Sequence, residues 1–128
     1  IRYNREDTYQ YTEKEMRRRA RKLWFKAHRA GGIDLLLTHA PAKGLNDGGD
    51  KAHVGFETFN GLLEDYQPKW FVHGHVHLNY DAKLPRVCTH GRTTVINATE
   101  RYLFEIPDPD PTAQRKFFWK NPAFTTEN

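Results

Sequence analysis

An α/β fold is predicted by two short apolar runs with one helical stretch between them, each run passing into a histidine-bearing turn. The chain has 128 residues, enough for one domain that buries about two thirds of its unfolded surface. Apolar residues make up 38% and charged residues 28%, and the mean hydropathy is -0.85, a balance typical of soluble globular chains. No apolar run approaches the roughly 18 residues of a membrane helix, so no membrane partner is expected.

Taken in order, Thr12 and Glu15 have the capping-box spacing, and Met16, Ala20, Leu23, Ala27 and Ala30 recur every three or four residues until Gly31-Gly32. A helix over 13–30 follows. Ile33 to Thr38 is a nearly unbroken apolar run, which predicts a strand covered on both faces; it ends at His39-Ala40-Pro41. Residues 42–54, rich in Gly and Asp, read as loop. Phe56, Phe59, Leu62, Leu63 and Tyr66 restore helical spacing until Pro68, and Lys69 to Val72 reads as a second buried strand running into His73-Gly74-His75-Val76-His77.

This is a β-α-β unit, whose strands pair in parallel and whose loops therefore share one sheet edge. Residues 79–92 carry no period and are expected as a long loop, after which Thr93–Ile96 and Arg101–Ile106 are expected to form a hairpin. From Pro107 the composition changes: 107–128 reads as a Pro-rich linker and a tail that packs on the core or is partly disordered.

Charge is uneven. Ten basic and four acidic side chains fall within residues 1–30, so the overall excess of four is local to this end. Arg17-Arg18-Arg19 with Arg21 and Lys22 would suit a polyanion, but the segment reads as the solvated face of a helix with no aromatic interleaved as a stacking platform. Nucleic acid is accordingly a partner the sequence weighs against without closing the option. The single cysteine, Cys88, can form no internal disulfide, which favours a reducing, cytoplasmic setting. Without secretion, the Asn97-Ala98-Thr99 tripeptide carries no weight as a glycosylation acceptor.

Ligands in open α/β sheets bind beyond the carboxyl ends of the strands, and the β-α-β unit brings His39, His75 and His77 to that edge. Neutral imidazoles suit Zn, Fe, Mn or Ni, and Gly74 lets the backbone turn close to an ion. Strand alternation turns His73 away from that side, towards packing or second-layer support. His53, in the loop before a helix, is a candidate for touching an anionic substrate. His28 and His90 read as surface residues, and Cys88 has no activating neighbour in sequence.

Thr38-His39-Ala40-Pro41, Gly44, Asp47, a helix opened by Gly55-Phe56, and Gly74-His75-Val76-His77 resemble the C-terminal half of calcineurin-like metallophosphoesterases over residues 13–106. That family carries five blocks, Asp-x-His, Gly-Asp, Gly-Asn-His, His and Gly-His-x-His, on an α-β-β-α sandwich; the last two are present here. The resemblance implies that 1–106 is the C-terminal part of such a domain. It further implies that His39 and His75 bind one metal and His77 the other of a pair of divalent ions (Mn, Fe or Zn), and that the complete enzyme hydrolyses phosphate mono- or diesters.

Gly49-Asp50 has the letters of the second block but falls after the fourth, so it reads as loop. The bridging carboxylate and the catalytic histidine belong to the absent blocks. Two dications roughly 3.5–4 Å apart need anionic ligands, which three imidazoles do not provide, so this chain alone is expected to be inactive. Asp47, Asp50 and Asp81 read as turn and loop aspartates. The alternative is a non-catalytic module that holds a single metal ion or a partner at the same edge.

Overall fold

The computed structural model describes residues 10–48, 51–78 and 84–108. Expectations for the first residues, for Asp50 and Asp81, and for the tail beyond 108 fall outside them. The order of elements is α1 (Glu13–Arg29), β1 (Leu35–Leu37), α2 (Glu57–Tyr66), β2 (Trp70–His73), β3 (Val87–His90) and β4 (Thr93–Asn97). Four strands make one sheet in the order β1-β2-β4-β3. β1, β2 and β4 are mutually parallel, and β3 runs antiparallel to β4. The class is mixed α/β, as the sequence predicts.

α1 begins where the capping box sets it: the Thr12 hydroxyl accepts from Glu15 N, and Glu15 Oε2 accepts from Thr12 N at 2.7 Å. It stops at Gly31, which takes φ 77 while Gly31 N and Gly32 N donate back to His28 and Ala27 carbonyls, closing the helix end. Its inner side places Ala20 in the core and Met16 against it. The outer side differs from the sequence reading in one respect, because Trp24 and Phe25 lie within the basic segment and Phe25 is 70% exposed. The aromatics are therefore interleaved after all.

α2 has no capping side chain of its own, since its N-cap is Phe56. Glu13 of α1 supplies the missing acceptor: its carboxylate takes Thr58 N at 2.7 Å and Glu57 N at 3.1 Å, and also the Thr58 hydroxyl. A carboxylate at that end also opposes the positive pole of the helix dipole. Phe59, Leu62 and Leu63 then reach the core with Leu36, Phe71 and Val95. The left-handed Gln67 (φ 44) and Pro68 end the helix.

Two expectations are corrected. The hairpin partner of β4 is Val87–His90, not Arg101–Ile106. Gly91 at φ 57 begins the two-residue turn, the position where such loops favour glycine, and β2 already occupies the other side of β4. The 101–106 segment, though rich in strand formers, instead stacks Phe104 near Trp70 and Tyr102 near Phe104. The 79–92 loop is shortened accordingly, with 79–83 outside the described residues. β1, for its part, is not covered on both faces: it is a three-residue edge strand whose Leu37 is 70% exposed. Among the described residues no helix is long and apolar enough to cross a membrane.

Candidate functional site: a histidine rim

The parallel ladder continues past the ends of β1 and β2. Thr38 N donates to Val72 O and Gly74 N to His39 O, each at 3.0 Å, so the chain beyond β1 stays level with the chain beyond β2. The Thr38 hydroxyl donates to Ala40 O at 2.6 Å and bends the strand end just before Pro41. His75 takes a left-handed backbone, φ 68, which swings its ring towards β1. His39 Nε2 and His75 Nδ1 consequently stand 3.1 Å apart, although 36 residues separate them in sequence.

Protons can be assigned along this contact. The Ala52 carbonyl, 2.8 Å from His75 Nε2, can only accept, so that nitrogen carries the hydrogen. In neutral His75 the facing Nδ1 is then a lone pair, and His39 Nε2–H donates to it. Burial first, and then the His75 ring, hold the His39 imidazole below its usual range, which favours its neutral form.

His53 closes on the same point. Its ring centroid lies 5.3 Å from that of His75, and its carbonyl accepts from Gly48 N at 3.0 Å. A Cβ on Gly48 would fall 2.4 Å from His53 Cβ, so the loop needs glycine there. The structure therefore brings His39, His75 and His53 together, while His77 stands exposed beyond Val76. Among the described residues no group of three or more His, Cys, Asp and Glu side chains is arranged to hold an ion. Asp47 does the work of a loop residue, its Oδ2 accepting from Gly55 N at 3.0 Å.

His73 is packed, 1% exposed, with its ring against Phe71 and Nδ1 on the Gly74 carbonyl. Its Nε2 is buried with no hydrogen-bond partner. Cys88 is half-buried and its thiol is pushed up by that burial, against activation.

Sequence reasoning missed the support beneath the rim. Asn97 is fully buried at the end of β4, where its amide donates to Val76 O at 2.7 Å and its Oδ1 accepts from Thr99 N at 3.0 Å. The Thr99 hydroxyl lies 3.0 Å from the same Val76 carbonyl. Arg86 donates to the carbonyls of Asn97 and Thr99. The tripeptide passed over as a glycosylation acceptor is thus what pins the residue between His75 and His77. Its position just after a third parallel strand was the available signal.

A cleft of about 500 Å³ is lined by Met16, Arg19 and Leu23 of α1, by Leu36 of β1 and Phe59 of α2, and by His39 and His75. Its size suits a small organic ligand. No protein-family model matches the chain, and no solved structure matches it.

Proposed function

We propose that this chain is the C-terminal portion of a metal-dependent phosphoesterase acting on phosphate mono- or diesters, with His39 and His75 as ligands of one divalent cation. The observation that carries the reading is the 3.1 Å separation of His39 Nε2 and His75 Nδ1 at the carboxyl ends of adjacent parallel strands. Two nitrogens about 2.0–2.1 Å from one ion lie about 2.8–3.4 Å apart for angles between square and tetrahedral. The His75 Nε2–H bond to Ala52 supports the same role, because a ligating imidazole commonly anchors its second nitrogen on a carbonyl. For His39 to ligate through Nε2, its proton moves to Nδ1.

The donor set fits one cation in part and does not fit a dinuclear centre. It is neutral, and among the described residues of the loop the carboxylate of Asp47 is engaged by Gly55 N. In this reading the anionic ligands come from the remaining blocks of the domain. When bound, divalent cations neutralise phosphoryl oxygens and acidify a water. The chain's own contribution is to hold two neutral imidazoles in register, to place His53 beside them for an anionic substrate, and to seat the substrate's organic part in the adjoining cleft.

Mn(II) titration of the chain, followed by electron paramagnetic resonance, tests the site. Weak 1:1 binding is expected, lost in His39→Ala and in His75→Ala; undiminished binding in both variants overturns it. The class is tested by the coding sequence ahead of Ile1, where Asp-x-His, Gly-Asp and Gly-Asn-His blocks are expected. The neutral donor set also favours a second reading, a single-metal module without turnover. Tight 1:1 binding in the absence of those blocks would select it.

A further inference from the structure

We infer that the outer face of α1 binds single-stranded nucleic acid. Eight lysines and arginines lie between Lys14 and Arg29, and all eight are exposed. The helix has two acidic residues, and both are engaged elsewhere: Glu13 caps α2 and Glu15 closes the box with Thr12. Among the described residues none of the eight cations forms an ion pair with a carboxylate. Such a face over about 25 Å of helix is complementary to a polyanion.

The aromatics decide which polyanion. Phe25 stands 70% exposed within the basic face, set edge-on to Trp24 at 4.7 Å, and Trp24 stacks on His28 at 5.2 Å with planes 8° apart. Cations tracking a backbone beside rings that receive bases are the combination that single strands use. An anionic membrane fits less well, because surface-lying helices turn their apolar side outward, whereas Met16 and Ala20 of α1 face the core, Leu23 lines the cleft, and Phe25 is the apolar side chain within the basic face.

Arg19 joins the two regions. It belongs to the basic face and lines the same cleft as His39 and His75. A strand lying along α1 would pass from it to the imidazoles, so a polynucleotide would be the phosphodiester class presented there. That last step rests on the phosphoesterase reading; the binding itself does not.

The test is fluorescence anisotropy of labelled oligo-dT of 15 nucleotides with the full 128-residue chain in EDTA. For about five neutralised phosphates the affinity should fall with a log-log salt slope of about -3.5. The triple variant Arg17→Ala/Arg18→Ala/Arg21→Ala, all at exposed positions, should flatten that slope by about 2. Phe25→Ala should weaken oligo-dT about tenfold and leave inorganic polyphosphate, which has no bases, unaffected.

A flat salt response, unchanged affinity in the triple variant, or tighter binding to phosphatidylserine vesicles than to oligo-dT overturns the inference. Mn(II) binding by the unaltered chain, measured separately, reports on the histidine site, so either idea can fail while the other stands.

Discussion

His73 is the last residue of β2 and His39 lies two residues beyond the neighbouring parallel strand β1, and the fold treats them in opposite ways. His73 is enclosed, its ring on Phe71 and one nitrogen without a partner; His39 is exposed, its ring turned to His75. The same division runs through the whole rim. Its underside is packed around Gly55, Asn97 and Val76, and its upper side is left open. The difference teaches that residue type does not assign a role here. One histidine fills a core and another presents a nitrogen, and the place each takes at or beyond its strand end decides which.

If the underside is the rigid half, its substitutions should cost most. Gly55→Ala should be the most damaging, since a Cβ would fall 2.3 Å from the Ala42 carbonyl carbon and 2.6 Å from Lys43 N, both backbone atoms. A loss of about 3 kcal/mol in urea unfolding is expected. Asn97→Ala should cost about 2 kcal/mol, because it leaves the buried Val76 carbonyl with less support. It should also broaden the His75 and His77 ring signals in NMR spectra. Glu13→Ala, which uncaps α2, should cost about 1 kcal/mol by the same unfolding measurement.

Acid sharpens the contrast. Burial pushes the His73 imidazole below its ordinary 6.5. The unfolded chain therefore takes up a proton that the folded chain refuses, and stability should fall as pH drops below about 6.5, with no contribution from this group above about pH 7.5. His73→Phe should flatten that part of the stability profile, and an unchanged slope would assign it to another group. The smallest effect is expected on the open side, where His39→Ala should change stability by no more than about 0.5 kcal/mol while removing a metal ligand. A large loss there would mean that the open side also carries structural weight.

The β1-α2-β2 unit was legible in sequence because three of its boundaries have a local cause: Gly31-Gly32 ahead of β1, Pro41 after it, and Pro68 between α2 and β2. From that unit the meeting of His39 with His75 follows by topology. β3 was not legible, because Val87-Cys88-Thr89-His90 is half-exposed and weakly apolar, whereas Arg101–Ile106 has the better strand composition. Which of them pairs with β4 depends on the edge left free once β2 is in place, and composition does not report that. Asn97 and Thr99 were hidden for a related reason, since their partner is a carbonyl 21 and 23 residues away. Glu13, likewise, caps a helix 45 residues downstream.

The backbone of His75 has one more consequence. A left-handed φ of 68 is uphill for a residue with a Cβ, by about 1 kcal/mol, and asparagine or glycine would sit there with less strain. Natural drift towards a sturdier molecule should therefore tend to erase the imidazole. Populations of this protein that keep histidine at 75 would be holding it against thermodynamic advantage, and a stability-only selection in the laboratory should replace it early.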